Sequence, residues 1–298
     1  MRILVTGANG LLGQKLVSRL MQDPAVEVVA TARKPFALFM PRGFFATLDI
    51  GDATQTKETL LRYRPDVVIN TAAMTQVDQC ETDREACWRA NVDSMTYLVA
   101  GCEAVGAHLI HVSTDFVFDG THGPLDESAQ PAPVNFYGES KLAGEKIVQE
   151  SQIKWAILRT VLVYGITADM SRTNIVLWVK NSLQAGKKIQ VVNDQWRTPT
   201  LAEDLAQGCH LAAIKKATGI YHISGEEMMT PYDIAIATAR FFKLDAGLIE
   251  ATDSTRFTQP AKRPMKTGFI IGKAKRELGY RPHTFAQGLA VVASQING

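Results

Sequence analysis

Short apolar runs alternate with helix-spaced apolar positions along the first 115 residues. Residues 3–6, 26–32 and 44–48 have the length and composition of strands, and 11–22 carries a helical pattern between the first two. Residues 54–63 read as a helix ended by Pro65, and 66–71 as a buried strand. One long helix is predicted over 84–105, closed by Gly106, and another strand over 108–113. Strands that alternate with helices predict an α/β fold, a doubly wound parallel sheet with helices on both faces and right-handed crossovers. Pro and acidic residues make 124–133 a loop, followed by a helix over 137–150 and a strand over 155–163. After Gly165 the alternation weakens. Residues 166–194 and 226–298 read as insertions that build a smaller, discontinuous C-terminal lobe, while a helix at 199–213 and a strand at 220–224 return to the main unit.

Charge and composition narrow the partners. A net charge of +2, with Lys and Arg scattered, is too weak to predict binding to nucleic acid or an anionic membrane. Cys80, Cys87, Cys102 and Cys209 form no CxxC pair and no zinc spacing with histidine, so they read as reduced thiols of a cytoplasmic protein, and no metal site is expected. The apolar start meets Gly7 too soon for a signal peptide, and no stretch approaches the roughly 18 apolar residues of a spanning helix. A soluble chain acting on a small molecule is the expectation, with a homodimer left open.

Gly7, Asn9, Gly10, Leu11, Leu12 and Gly13 lie between the first strand and the first helix. Glycines there permit a tight turn and close approach of backbone to a pyrophosphate, and helix N–H groups favour the anion. The spacing is GxxGxxG, and its place in the chain predicts a Rossmann-type site for a nicotinamide dinucleotide. Residues 1–165 and 195–225 are therefore expected to form an NAD(P)-binding domain, and 166–194 with 226–298 a substrate lobe. The end of the second strand carries Arg33 and Lys34 but no carboxylate. An acid there would hold a ribose 2′-OH, whereas these cations suit a 2′-phosphate or form a solvated basic turn. NADPH is the expected preference, with NADH as the alternative. Asp49 and Ile50 are placed beside the adenine, and Thr71, Ala72 and Ala73 on the path to the nicotinamide.

Tyr137 and Lys141 are four residues apart and share a helix face. An ammonium there favours the phenolate and lowers a phenol pKa normally near 10, making Tyr137 a general acid near neutrality. The ammonium can also hold the nicotinamide ribose. Thr114 ends the preceding strand, where open α/β sheets bind ligands, and can hydrogen-bond the substrate oxygen beside Tyr137.

With these stretches in place, the chain resembles the dTDP-4-dehydrorhamnose reductase family of the extended short-chain dehydrogenase/reductase superfamily. The resemblance rests on residues 5–13, Asn70-Thr71-Ala72-Ala73 with Val77-Asp78 and Cys80-Glu81, and Ser113-Thr114-Asp115-Phe116-Val117-Phe118-Asp119-Gly120. Tyr137 with Lys141, Asn193-Asp194-Gln195 leading to Pro199-Thr200, and Arg263-Pro264 complete it. It implies a catalytic trio of Thr114, Tyr137 and Lys141, a hydride passed to a sugar C4 ketone, and Asn91 bracing the cofactor site or satisfying local backbone. Related dehydratases carry a glutamate where Phe116 stands, and phenylalanine cannot be a base, so dehydration is not expected.

Thr114, Asp115, Phe116, Trp196 and Arg263 are the expected substrate contacts. Arg263 suits a nucleotide diphosphate or is a surface arginine fixed by Pro264, and Trp196 stacks on a base or sugar or packs within the lobe. Asp78 and Glu81 read as helix-capping acids. Departures fall in the lobe and the segments next to it: Leu162 stands where the family often has tryptophan, and Phe269, Trp196 and Arg197 replace smaller or different residues. The leading expectation is reduction of dTDP-4-dehydrorhamnose to dTDP-rhamnose. A reductase or epimerase for another nucleotide sugar, and a cofactor-binding regulatory subunit of methionine adenosyltransferase type, are the alternatives.

Overall fold

The computed structural model describes residues 1–35, 38–168 and 173–296. Residues 36–37 of the expected main domain, and 169–172 and 297–298 of the expected lobe, lie outside the described residues. Strand β1 (Arg2–Thr6) leads into helix α1 (Leu11–Gln22), then β2 (Glu27–Ala32) and β3 (Phe44–Thr47). Helix α2 (Ala53–Tyr63) is capped by Asp52, whose side chain accepts from the Gln55 N–H at 3.0 Å, and ends where Arg64 turns left-handed before Pro65. Strand β4 (Val67–Asn70) follows.

The predicted long helix is interrupted. A short α3 (Val77–Thr82), absent from the sequence reading, is followed by α4 (Arg84–Trp88), a π-helical turn (Arg89–Asp93) and α5 (Ser94–Val105). The wide turn carries Asn91, whose side chain bonds outside its own helix; such bulges commonly mark functional sites. Strand β5 (His108–Thr114), a 3-10 turn (Asp115–Val117), helix α6 (Phe136–Glu150) and β6 (Trp155–Thr160) come next. The strand expected to reach residue 163 stops at Thr160. Leu162 takes a positive φ of 38°, which an extended strand cannot accommodate, and β7 (Val163–Tyr164) pairs instead with β9 (Thr200–Leu201).

Between those two strands lie α7 (Ile175–Gln184) and β8 (Ile189–Val192); after them come α8 (Ala202–Ile214) and β10 (Gly219–His222). Helix α9 (Pro231–Phe241) starts with a capping box between Thr230 and Asp233, and β11 (Ile249–Thr252) and α10 (Phe285–Ile296) complete the chain.

Seven parallel strands form the central sheet in the order β10-β6-β5-β4-β1-β2-β3. Strands β1, β4 and β5 are almost wholly buried, as expected when helices cover both faces. On one side Leu16, Val17 and Leu20 of α1 join Ala206, Cys209 and Ala213 of α8; on the other, Leu60, Met95, Leu98 and Val148 join α2, α5 and α6. A separate two-stranded sheet, β8 with β11, packs with α7 and α9 through Val179, Leu183, Ile189 and Ala235. Phe269, Ile271, Ala274 and Tyr280, which the sequence reading puts in the lobe, sit in the same apolar cluster as α1 and α8.

The strand order reverses on either side of β1. Every strand of the sheet runs the same way, so the carboxyl ends of β1, β2, β4 and β5 share one edge, where an open sheet offers a crevice at the switch point.

Candidate active site

The glycine loop opens this edge. Gly7 is left-handed, with φ of 67°, and a Cβ there would come within 2.9 Å of the Ala72 backbone. A Cβ on Gly13 would press into the Gly7 carbonyl and reach 2.7 Å from Ala8 Cα. The Gly10 N–H donates to the Gly7 carbonyl at 2.9 Å, and Gly10 caps α1 without giving its first turn a side-chain acceptor. Leu11 and Leu12 start that helix half-buried. The glycines thus thin the backbone where an anion would meet helix N–H groups. The Asn9 amide donates to the carbonyls of Lys34 at 3.1 Å and Pro35 at 2.9 Å, tying the loop to the end of β2. Arg33 is exposed beyond that end.

Asp49 is half-buried, accepts the Gly51 N–H at 2.9 Å and faces Arg89 at 3.3 Å, next to the buried Ile50. Thr71 donates to the Thr6 carbonyl at 2.7 Å, so Thr71, Ala72 and Ala73 lie half-buried against the glycine loop. Asn91 is spent on bracing. Its oxygen accepts the Met74 N–H at 2.9 Å, and its amide donates to the Met74 carbonyl at 3.1 Å and Ser140 Oγ at 3.0 Å. It holds the loop after β4 against α6 and is 2% exposed.

Helix α6 is seated by three contacts. Asn135 caps it by accepting the Gly138 N–H at 2.8 Å, and the same side chain donates to the Lys262 carbonyl at 2.7 Å. Glu81 accepts the Phe136 N–H at 2.6 Å, so this acid serves the helix bearing Tyr137 and not its own. A Cβ at Gly138 would press into the Phe116 carbonyl and reach 2.9 Å from Pro133 Cβ. The result is a buried Tyr137, edge-on to Phe116 at 5.7 Å, with its hydroxyl beside Thr114.

The electrostatics of this pair differ from expectation. Burial raises the Tyr137 phenol above its ordinary value, with the Thr114 hydrogen bond opposing, and Asp115 raises it further. Lys141 does not reach the phenol. Its Nζ lies 3.1 Å from His111 Nε2 and donates to the Val112 carbonyl at 2.8 Å, because β5 passes directly beneath α6. Burial lowers the Lys141 pKa to about 8, against the pull of Glu145 and Cys87.

Two expected substrate contacts are occupied from within. Asp115, 2% exposed, accepts from Thr114 at 3.1 Å and from Thr267, and faces Arg197 at 3.6 Å. It links the end of β5 to the C-terminal segments, and burial raises its carboxyl above the usual range. Arg263 forks onto both oxygens of Asp78 at 2.8 and 2.7 Å, and Asp78 gives its own helix no side-chain cap, which corrects its reading as a capping acid. Trp196 is 40% exposed and joined by backbone bridges to Met265 and Lys266. The structure thus brings Thr114, Phe116 and Tyr137 together, holds Lys141 on His111 and Val112, and gives Asn91, Asp115 and Arg263 partners within the protein. Sequence reasoning missed His111 and did not see the partners of Glu81 and Arg197. A histidine inside an otherwise apolar strand was the signal for the first. Among the described residues no group of three or more His, Cys, Asp or Glu could hold a metal ion.

A family model described as RmlD substrate binding domain matches residues 1–297. A dTDP-4-keto-6-deoxy-D-glucose reductase of Streptomyces niveus is 34% identical over 94% of this chain and 92% of its own. Methionine adenosyltransferase 2 subunit beta of Pongo abelii is 34% identical over 85% of this chain and 76% of its own. Among solved structures, a dTDP-4-dehydrorhamnose reductase from Clostridium acetobutylicum superposes with a TM-score of 0.90 at 29% identity over 100% of both chains. Another from Bacillus anthracis, in complex with NADP, gives 0.84 at 27% identity over 99% of both.

Proposed function

This chain belongs to the RmlD substrate binding domain family and is an oxidoreductase, and from that premise we propose that it reduces the C4 ketone of a nucleotide-linked 6-deoxyhexose, namely dTDP-4-dehydrorhamnose to dTDP-rhamnose. The observation that carries this reading is the buried Tyr137–Thr114 pair on the sheet edge that also bears the glycine cradle. The cradle fits a dinucleotide pyrophosphate, since a Cβ at Gly7 or Gly13 would fill it. Gly10, Leu11 and Leu12 would hold the pyrophosphate through backbone N–H groups, Asp49 and Ile50 would border the adenine, and Thr71 to Ala73 would line the way to the nicotinamide. Arg33 and Lys34 would pair with a 2′-phosphate, so NADPH is the proposed preference. When bound, the cofactor supplies the hydride for the ketone carbon.

The chain's own residues handle the proton. Thr114 and Tyr137 hydrogen-bond the ketone oxygen, and Tyr137 donates its phenolic proton as that oxygen becomes a hydroxyl. Phe116, edge-on to the phenol, excludes water and offers no base, in keeping with reduction over dehydration. Lys141 stands one helical turn from Tyr137 to stabilise the phenolate left behind. Trp196, exposed beside Met265, is the proposed stacking surface for the base or sugar. We further propose that residues 1–165 and 195–225 hold the cofactor while 166–194 and 226–298 shape the substrate side.

The test is cofactor oxidation by purified protein with dTDP-4-dehydrorhamnose, NADPH and NADH being compared at matched concentration. Equal or better turnover with NADH would overturn the cofactor preference. The relationship to methionine adenosyltransferase 2 subunit beta favours a second reading, a cofactor-binding regulatory subunit. Stoichiometric co-elution with a methionine adenosyltransferase, without ketone reduction, would select it.

A further inference from the structure

One buried guanidinium reaches both residues that neighbour the Tyr137 phenol. Arg197, 5% exposed, comes from the segment between β8 and β9. Its Nε lies 3.6 Å from Asp115 Oδ2, and its Cζ sits over the Phe116 ring, 5.8 Å from the centroid. The rest of the fork is held from outside the main sheet. Nη1 donates to the carbonyls of Trp196 at 2.8 Å and Met265 at 3.2 Å, and Nη2 to that of Pro264 at 2.6 Å. Asp115 passes the contact on: its Oδ1 accepts the Thr114 hydroxyl at 3.1 Å, and its Oδ2 accepts from Thr267. Thr114 Oγ1 in turn accepts the Phe116 N–H at 3.2 Å. Phe116 is edge-on to the phenol at 5.7 Å, and Thr114 lies beside the phenol hydroxyl.

The charge of Asp115 sets the polarity of this junction. Arginine keeps its charge in proteins, and a buried cation needs a counter-charge. Asp115 is the carboxylate that faces Arg197, while the neighbouring cation, Arg263, is itself held by Asp78. A neutral Asp115 would leave Arg197 uncompensated, so the carboxyl is ionised at neutral pH although burial raises it above the usual range. A carboxylate only accepts, and Thr114 and Thr267 therefore both aim their O–H groups at it. Once protonated, Asp115 becomes a donor among donors and one of these bonds is lost. Tyr137, the titratable group of α6 that faces Asp115, keeps its own proton. We propose that Arg197 is a positioning residue for the proton transfer: it holds Asp115 as a carboxylate and packs on Phe116, and so seats Thr114 and Phe116 against Tyr137. The Thr114 oxygen keeps its place whether its proton points at Asp115 or turns to a ketone oxygen, because the Phe116 N–H also holds it. The same guanidinium anchors the backbone of Pro264 and Met265, so one side chain aligns the C-terminal segment with the acid. This deepens the reductase reading and rests on it only for the kinetic consequence.

The test compares the wild type with Arg197→Met, which keeps an apolar stem, and Arg197→Lys, which keeps a charge. In the protein without added ligand, the Asp115 carboxyl 13C signal is assigned by its loss in Asp115→Asn. It should titrate below neutral pH in the wild type and about one unit or more higher in Arg197→Met, with Arg197→Lys in between. With NADPH and dTDP-4-dehydrorhamnose, Arg197→Met should lower kcat roughly 10–100-fold while KM stays within about threefold. Its kcat should fall with pH at the midpoint of the carboxyl, so the acid limb moves upward with the substitution and Arg197→Lys restores part of it. Where the methionine variant does not fold, Arg197→Lys carries both readouts, with smaller shifts of the same sign. An Asp115 already neutral in the wild type at neutral pH, or a midpoint that the substitutions leave in place, overturns the proposal. So does a loss of kcat whose pH profile keeps the wild-type shape, which is what a merely structural role gives. The carboxyl titration needs no turnover, so failure there is distinct from failure to reduce a ketone.

Discussion

A phenol can donate a proton only while it holds one, and burial keeps Tyr137 protonated across the physiological range. Tyr137→Phe removes that proton and little volume. It should lower kcat roughly 10²–10⁴-fold while leaving cofactor affinity within a factor of two, as read by steady-state kinetics and fluorescence titration. A loss confined to KM would place the phenol outside the proton path. Gly13→Ala tests the cradle: its Cβ would press into the backbone of Gly7 and Ala8. Overpacking of this kind costs about 1–3 kcal/mol, and it should weaken cofactor binding with it. Tyr137 and Lys141 were legible in the sequence because helical spacing is local. Their partners were not. His111 precedes Lys141 by 30 residues, and Asp78 precedes Arg263 by 185, so each depends on how the chain closes.

Strand β6 and helix α6 are locked together by Arg159 and Glu145, whose side chains are 1% and 0% exposed. Removing one partner strands the other charge. Glu145→Gln should therefore lower stability by about 3–5 kcal/mol in chemical denaturation; an unchanged midpoint would mean that water reaches the pair. The adjoining strand β10 ends in His222, stacked on Phe269 at 3.8 Å and held by burial down to about 3. Below pH 6.5 the unfolded chain takes up a proton that the native ring refuses. Stability from this group is full above that value and is lost as pH falls toward about 3. His222→Gln should flatten the acid limb of the stability profile, and an unaltered limb would assign acid sensitivity elsewhere. Patterning located nearly every strand of the main sheet. It failed where distant contacts shape the backbone. The π turn that aims Asn91 at Met74 and Ser140, and the bend at Leu162, have no signature in periodicity.

The assembled molecule joins its sheet edge to the C-terminal segments by polar clamps. Asp78 holds Arg263, Asp115 holds Thr267, and Arg197 donates to the carbonyls of Pro264 at 2.6 Å and Met265 at 3.2 Å. Arg263→Ala should lower Tm with little change in KM, and Asp78→Asn should reproduce the loss. A large rise in KM for Arg263→Ala alone would return Arg263 to the substrate. These clamps tie the sheet edge to the segment that pairs with Trp196, and the cofactor half is read more readily than the sugar half. Glycine spacing has few uses at the start of a parallel sheet, whereas Trp196 is 40% exposed and depends on its neighbours for meaning. The most direct check on the reductase is single-turnover mixing of the folded, NADPH-loaded protein with dTDP-4-dehydrorhamnose, followed by mass analysis of the sugar nucleotide. One NADPH should be oxidised for each dTDP-rhamnose formed, and Tyr137→Phe should bind both compounds and form almost none. Wild-type protein that binds NADPH and the ketone yet leaves both unchanged would contradict the account.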